Sequence, residues 1–304
     1  MISTYFRESS PAMKLVLTLL FCLTGLLLFM LIGSIVVFSI YGSAALSYLS
    51  NPNPTTQDAI AALKILQICQ AIGLFIVPSF LLSLYFSSKP SKYLGFNRIN
   101  LNLVFLVTVT IIVAFPAINL LASLNELVRL PQWMNDMEEK AQALTKAFMT
   151  INSFGGLLVN FIMIAILPAL GEELLFRGII QKLFLEITGK VVWGIIISAL
   201  LFSSMHLQFQ GFLPRFALGV LLGYLYVWSG SLWLPIIAHF INNAIAIIGY
   251  TMIYKGNLSS EAENIGGLSV MWPLGVMSLA LVLMLLLKIK GEGLRIRKIE
   301  QTSL

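Results

Sequence analysis

Apolar stretches of about 20 residues recur along this chain and limit the folds open to it more than any other feature. A stretch of that length matches a helix that crosses the hydrocarbon core of a bilayer. Of the 304 residues, 58% are hydrophobic and only 11% are charged, whereas soluble domains carry about 25% charged residues. A soluble fold cannot remove so much apolar surface from water. The sequence therefore predicts an all-α, polytopic membrane protein.

Eight candidate spans are visible, which predicts about eight transmembrane helices. The first apolar run is too long for the hydrophobic region of a signal peptide, which has roughly 7–15 residues, and it reads as a spanning helix. The fifth and sixth spans are short and lie close together. The approximate bounds are 14–41, 67–88, 101–124, 155–180, 191–208, 212–229, 232–254 and 270–288.

The distribution of basic residues predicts the orientation. An even number of spans places both termini on one side of the membrane. With the N-terminus inside, thirteen of the 19 Lys and Arg residues lie on the inner side, as the positive-inside rule requires for a cytoplasmic face. The six on the outer side are Lys64, Arg129, Lys140, Lys146, Arg215 and Lys255. We expect a multi-pass protein of the plasma (inner) membrane with both termini cytoplasmic. We attribute the net charge of +6 to the excess of Lys and Arg on the inner side and not to nucleic-acid binding.

The chain divides into three parts. Residues 1–154 hold the first three spans and an outer loop, in which Trp133, Met137 and Phe148 recur at near-helical spacing and predict an amphipathic helix at the membrane interface. This helix is either a connector resting on lipid or a substrate gate. Residues 155–254 hold the fourth to seventh spans, and residues 255–304 hold the last span and a basic tail expected to contact membrane lipids.

Three charged residues stand together in the fourth span, at Glu172, Glu173 and Arg177. Each charge near the bilayer centre costs roughly 2.5–3.5 kcal/mol on insertion scales, so the group requires an explanation. Glu173 and Arg177 share a helix face and can form an ion pair, either as a structural lock or as support for a site. That pairing leaves Glu172 as the carboxylate available for acid–base chemistry. Pro168 frees the carbonyl of Ile164 and predicts a kink near these residues.

The chain has two histidines, and each lies in a later span beside a second notable side chain. Phe202 and His206 stand at i,i+4 in the fifth span, and His239 and Asn243 do so in the seventh. Each histidine can also be read as a hydrogen-bonded core residue. Glu172 and His206 are both 17 residues from Gly189, so a hairpin of the two spans brings them to a similar depth. His239 and Asn243 can both donate hydrogen bonds to a developing oxyanion, or they can clamp two helices together.

These three motifs, in this order on successive apolar segments, resemble the CAAX protease and bacteriocin-processing (CPBP) family, which includes the type II CAAX prenyl endopeptidases. The motifs are Glu172-Glu173-xxx-Arg177, Phe202-xxx-His206 and His239-xxx-Asn243, and the resemblance covers about residues 155–250. It implies an eight-span helical fold whose site is sunk in the membrane and open to the cytoplasm.

The resemblance also implies a role for each matching residue. Glu172 would activate a water with help from His206, and His239 and Asn243 would stabilise the oxyanion. Glu173, Arg177 and Phe202 would support the site. No position of the three motifs departs from the family's pattern.

The resemblance leaves metal dependence open. A zinc ion could be held by Glu172, His206 and His239 with a fourth position free. The sequence lacks the HExxH arrangement of many zinc proteases, and Asn243 is a better oxyanion donor than a zinc ligand. The favoured expectation is therefore a site without metal or other cofactor.

The function predicted from the residues and the resemblance is intramembrane peptide-bond hydrolysis. The expected substrates are peptides or proteins that are membrane-bound and in some cases lipidated. One alternative is a proton-coupled transporter, because buried carboxylates and histidines also form proton relays. The other is a non-catalytic scaffold or immunity protein of the same fold, although a scaffold has no need of Glu172.

Overall fold

The computed structural model describes residues 6–50, 54–150 and 153–302 of the chain, and within them it is helical with no strand. We number the helices in chain order. They are α1 (Pro11–Tyr41), α2 (Ala44–Ser50), α3 (Gln57–Phe86), α4 (Pro90–Leu94), α5 (Leu101–Glu126), α6 (Gln132–Met149), α7 (Phe154–Thr188), α8 (Val191–Ser204), α9 (Phe212–Ser229), α10 (Trp233–Tyr254) and α11 (Trp272–Thr302).

Seven of these helices are long and apolar enough to cross a membrane, which confirms the prediction of an all-α polytopic membrane protein. They are α1, α3, α5, α7, α9, α10 and α11. The fifth predicted span, 191–208, corresponds to α8, an apolar helix that ends at Ser204. Its 14 residues reach about 21 Å, less than the roughly 30 Å of a hydrocarbon core. The expected eight spans are therefore seven long helices and one short one in the described part of the chain.

Local sequence signals explain where several helices begin and end. The Ser10 side chain accepts a hydrogen bond from the Met13 amide and precedes a proline at the first helical position, which starts α1. Thr56 caps α3 in the same way. Gly189 and Gly230 have φ of 67°, a left-handed conformation that glycine adopts without steric cost, and they end α7 and α9.

The connectors predicted to be cytoplasmic meet at one end of the bundle. In the connector between α3 and α5, the Gly95 carbonyl accepts a hydrogen bond of 2.7 Å from the Leu232 amide. Asn97 donates to the Gly230 carbonyl at 2.7 Å, and its own carbonyl accepts from Ser231 at 2.8 Å. Lys182, near the end of α7, donates to the Tyr93 carbonyl. These bonds join the segment after α4 to the turn between α9 and α10, and they join α4 itself to α7.

The opposite end is formed by the end of α5, the connector 205–211 and α6. The Asn125 side chain donates to the Phe209 carbonyl and accepts from the Leu213 amide, both at 2.8 Å. Trp133 of α6 packs edge-to-face on Phe209 with 5.6 Å between the ring centroids. The predicted amphipathic helix is therefore present as α6, lying on the connector 205–211 and on the adjoining helices α3 and α10.

Helix α7 lies among α1, α3, α8 and α10, and most of its second half is buried. Two π-helical segments interrupt it, Phe161–Ile166 before Pro168 and Phe176–Ile180 after Leu175. Such segments are frequent at functional sites. Arg177 is one of the thirteen basic residues assigned to the inner side, but it does not lie in a connector. Its side chain is fully buried within α7, 11 residues before the helix ends.

Candidate active site

The guanidinium of Arg177 is 0% exposed and is held from three sides. Nη1 donates to Oε1 of Glu173 at 2.7 Å, which is the ion pair predicted from the i,i+4 spacing. Nη2 donates to the Gly219 carbonyl of α9 at 2.9 Å. The Phe202 ring of α8 lies with its centroid 4.9 Å from the guanidinium carbon, within cation–π range. One buried cation therefore binds α7, α8 and α9 together.

Two glycines allow α9 to come close enough for these contacts. A Cβ at Gly219 would lie 3.0 Å from Cβ of Ala199, and a Cβ at Gly223 would lie 2.8 Å from Oε1 of Gln181. Gln181 follows Arg177 by one turn and donates to the Gly223 carbonyl at 3.2 Å. The small residues thus expose two α9 carbonyls to two α7 donors, as in close-packed membrane helix pairs.

His239 of α10 is 3% exposed and lies beside both carboxylates of α7. Its Nδ1 is 2.9 Å from Oε1 of Glu173, and its Nε2 is 3.9 Å from Oε2 of Glu172. His239 lies only six residues after the start of α10, yet it contacts the middle of α7. The sequence alone left open whether His239 lies at the depth of Glu172. Glu172, Glu173 and His239 are therefore brought together as predicted.

The contact with Glu173 determines what His239 can do. An ionised carboxylate only accepts hydrogen bonds, so Nδ1 carries the proton and donates it to Glu173. A neutral ring then presents Nε2 as an acceptor toward Glu172. Only the doubly protonated imidazolium presents Nε2 as the donor that the oxyanion role requires.

Glu172 differs from Glu173 in its partners. It is 8% exposed, and its Oε2 lies 3.9 Å from Nε2 of His239. Among the described residues, Oε2 of either carboxylate has no hydrogen-bond partner. Glu173 is 0% exposed, and its Oε1 contacts both Arg177 and His239. The adjacent carboxylates thus have different environments, one engaged in the helix packing and one less constrained.

The predicted effect of Pro168 is visible in the bond that Asn243 makes. The proline cannot donate to the Ile164 carbonyl, and this carbonyl accepts instead from Nδ2 of Asn243 at 3.0 Å. Oδ1 of Asn243 accepts from Asn242 at 3.1 Å. The amide nitrogen has two N–H groups, so one remains beyond the bond to Ile164.

His206 lies just after the end of α8, in the connector 205–211. Its Nδ1 is 2.9 Å from the Phe202 carbonyl, which can only accept, so Nδ1 carries the proton and Nε2 is the acceptor of the neutral ring. Its ring centroid is 5.1 Å from that of Phe202, and the His239 centroid is 5.8 Å from the same ring. Both histidines therefore pack edge-to-face on Phe202.

Two charged residues near the site were not singled out from the sequence. Arg215, at the start of α9, donates to the carbonyl and to the side-chain oxygen of Gln208, and its charge acts on Glu138 and Glu172. Glu138 of α6 is buried, and its Oε2 accepts from the Gln210 amide at 3.2 Å. Both residues thus hold the connector that carries His206.

The sequence offered a signal for one of these, because Arg215 is the one charged residue between Lys190 and Lys255. In the sequence, Arg215 reads only as one of the six basic residues on the outer side. Glu138 cannot be told from the sequence, because it is one of several charged residues in an amphipathic helix. The Gly219-xxx-Gly223 pattern is a helix-packing motif, so the sequence does carry a signal for the close approach of α9.

The residues considered as zinc ligands are not gathered into one group in this arrangement. Within the described ranges, no three side chains of His, Cys, Asp or Glu form a group that could hold a metal ion. Each histidine engages its Nδ1, His239 with Glu173 and His206 with the Phe202 carbonyl, and leaves Nε2 as the free ring nitrogen.

Comparison with known proteins places these residues in one family. A family model described as "Type II CAAX prenyl endopeptidase Rce1-like" matches residues 154–245, from the start of α7 to two residues beyond Asn243. No solved structure gives a significant match.

Three curated relatives match stretches of 90 to 100 residues, and the chain spans less than half the length of each. "Uncharacterized protein YpbD" of Bacillus subtilis is 32% identical over 90 residues, which are 28% of this chain and 43% of that protein. An "Uncharacterized 24.3 kDa protein" of Escherichia coli is 34% identical over 100 residues, which are 32% of this chain and 46% of that protein. The "Membrane-embedded CAAX protease MroQ" of Staphylococcus aureus is 34% identical over 90 residues, which are 28% of this chain and 36% of that protein.

The matched segment contains every residue of the three motifs that carried the resemblance. The predicted resemblance is thereby confirmed: residues 154–245 match the Rce1-like family of type II CAAX prenyl endopeptidases.

Proposed function

We propose that this chain is an intramembrane endopeptidase that hydrolyses a peptide bond of a membrane-associated protein or peptide, with a water activated by Glu172. One observation carries the proposal. Of the two adjacent carboxylates, Glu173 is fully buried and its Oε1 is held by Arg177 and His239, while Glu172 is 8% exposed and faces His239 across 3.9 Å. The family match and the name of the Staphylococcus aureus relative support a protease.

In the proposed reaction, Glu172 takes a proton from water while the water oxygen attacks the carbonyl carbon of the scissile bond. The carbonyl oxygen becomes an oxyanion. When the tetrahedral intermediate collapses, the C–N bond breaks and the proton held by Glu172 passes to the leaving nitrogen. Glu172 is thus general base and then general acid, and it ends the cycle ionised.

Asn243 and His239 are the proposed oxyanion donors. Asn243 has a side-chain N–H beyond the one that binds the Ile164 carbonyl. His239 can donate through Nε2 when the ring is an imidazolium, with Nδ1–H held by Glu173. A fixed donor in a site that excludes water stabilises developing charge strongly because no reorganisation is needed at the moment of reaction.

His206 is the proposed assistant of Glu172. Its Nδ1–H is fixed by the Phe202 carbonyl, so the neutral ring offers Nε2 as an acceptor. That nitrogen can orient the attacking water or share its proton. Phe202, Glu173 and Arg177 are supporting residues, because they hold the two histidines and α7 in place.

We further propose that the reaction needs no metal and that both termini face the cytoplasm of the plasma (inner) membrane. The first point is supported by the spacing of Glu172, His206 and His239, which do not form a three-ligand group among the described residues. The basic bias of the connectors that meet at one end of the bundle supports the second. The expected substrates are peptides or protein tails at the membrane, with or without a lipid.

The variants Glu172→Gln and Glu173→Gln separate the chemical carboxylate from the structural one. Glu172→Gln should lower cleavage by about 10²–10⁴-fold, the usual contribution of a general base, with little change in thermal stability. Glu173→Gln should destabilise the protein by about 3–5 kcal/mol, because it leaves the buried Arg177 charge without its partner. Glu186→Gln, an exposed carboxylate on the same helix, is the matched control.

Purified wild-type and variant proteins would be incubated with a mixture of membrane-protein peptides, and new termini would be counted by mass spectrometry. Thermal unfolding in the same detergent gives the stability. New termini that persist with Glu172→Gln would rule out the general-base assignment. Equal loss of stability in both variants would contradict the division of roles.

Asn243→Ala tests the oxyanion role. If Asn243 donates to the oxyanion, turnover should fall about 10²–10³-fold, although the lost helix–helix bond costs only about 0.6 kcal/mol. Asn160→Ala is the control, because Asn160 is a buried amide of α7 that also joins segments, through Lys64 and the Phe148 carbonyl. Turnover that falls no further in Asn243→Ala than in Asn160→Ala would identify a clamp and not a donor.

Chelation tests the metal-free mechanism. Purified protein treated with a strong chelator and then freed of it should keep full turnover, with less than one equivalent of any transition metal by elemental analysis. Loss of turnover that zinc restores would overturn this part of the proposal while leaving the hydrolase assignment intact.

Reporter fusions test the orientation. A fluorescent protein fused after α11 should fluoresce, as it does in the cytoplasm, while a secreted phosphatase fused there should be inactive. The same reporters placed after Gly256, in the connector between α10 and α11, should give the opposite pattern. Only α11 lies between the two positions, so they should be on opposite sides of the membrane. Equal signals at both positions would contradict this orientation.

A further inference from the structure

A groove on the side of α9 that faces away from the candidate active site carries a separate inference. It lies between α5, α9 and α11 and has a volume of about 610 Å³. Small side chains give it depth, with Ala114 and Ala117 on α5 and Ala217 on α9. Except for Lys290, its lining side chains are apolar or aromatic, so it suits a hydrocarbon chain.

The groove opens toward the lipid and not into the protein interior. Leu283 and Leu287 of α11 line one side and are 55% and 70% exposed. In a helix that crosses a membrane, exposed leucines contact acyl chains. The occupant can therefore enter sideways from the bilayer.

One end of the groove is polar and has the features of a membrane interface. Lys290 stands there, together with Trp228 and Tyr224, whose rings stack with 5.1 Å between their centroids. Trp and Tyr are enriched where headgroups begin. Gly293 lets the α11 backbone come close to Trp228, which keeps the end of α11 beside the end of α9.

Lys290 is available for an anionic group. The side chain is exposed, and no ion pair found among the described residues includes it. The nearest acidic residue in sequence, Glu292, pairs with Arg295 at 2.8 Å. A basic residue at the mouth of a pocket between membrane helices is the arrangement that binds anionic lipid headgroups.

The length of the groove agrees with one acyl chain. From Trp228 to Pro214, α9 advances 14 residues, or about 21 Å. Half of a hydrocarbon core is about 15 Å, so a chain anchored at Lys290 would extend along the groove to the bilayer centre and beyond. We propose that the groove binds an anionic glycerophospholipid, with its phosphate at Lys290 and one acyl chain along α9.

The position of this lipid gives it contact with the back of the site. The groove uses Ala217 and its neighbours on α9, whereas the opposite face of the helix presents the Gly219 and Gly223 carbonyls to Arg177 and Gln181. A bound acyl chain would press α9 toward α7. The proposal does not rest on the proposed hydrolase function, because its test measures binding.

The experiment measures lipid retention by native mass spectrometry of the full chain in detergent. Phosphatidylglycerol and phosphatidylcholine with identical acyl chains are added at equal concentration. Wild-type protein should retain phosphatidylglycerol in preference. Lys290→Gln should reduce that preference about fivefold, since one basic residue near the surface contributes roughly that factor.

Three further variants and one competitor make the result decisive. Lys288→Gln, an exposed lysine outside the groove, should keep the preference, and Lys290→Arg should restore it. Ala217→Phe should reduce retention of both lipids because it fills the groove. Equal retention of the two lipids by wild-type protein, an unchanged preference in Lys290→Gln, or displacement of the phospholipid by farnesol at equal concentration would each overturn the proposal.

Discussion

A guanidinium buried in the middle of a membrane helix is the constraint on which the candidate active site depends. Arg177 cannot lose its charge, so every neighbouring element must supply an acceptor or a π face. Glu173 supplies a carboxylate, α9 a backbone carbonyl and α8 a phenyl ring. The close approach of α9, the position of Phe202 and the engagement of Glu173 all follow from this requirement. Glu173 in turn orients His239, because Oε1 of Glu173 accepts a hydrogen bond from Nδ1 of His239.

The packing around Arg177 gives two adjacent and chemically identical side chains different properties. Oε1 of Glu173 is fixed by Arg177 of its own helix and by His239 of α10, whereas Glu172 faces His239 across 3.9 Å. Both histidines have their Nδ1 proton committed, one to a carboxylate and one to a carbonyl. An arrangement of this kind orients groups before a substrate arrives, which is the main structural requirement for catalysis by position and charge.

Much of this could be predicted because it depends on local spacing. The Glu173–Arg177 pair follows from the helix period, and the free Ile164 carbonyl follows from Pro168. The family resemblance followed from motifs that residues 154–245 contain. The early end of α8 could not be predicted, because apolar composition continues to Met205 while the chain already turns. The burial of Glu138 depends on the connector beneath α6, a contact between distant segments that no periodicity records.

The short helix α8 also affects the bilayer around the protein. Val192 and Trp193 are exposed on its lipid-facing side. The helix is about 21 Å long, whereas α10 has 22 residues and α5 has 26. Such hydrophobic mismatch is relieved by thinning of the adjacent membrane or by protein that covers the polar segment. Here α6 and Asn125 bind the connector 205–211. The fold therefore relieves the mismatch with protein, which covers the connector beside the histidine that it carries.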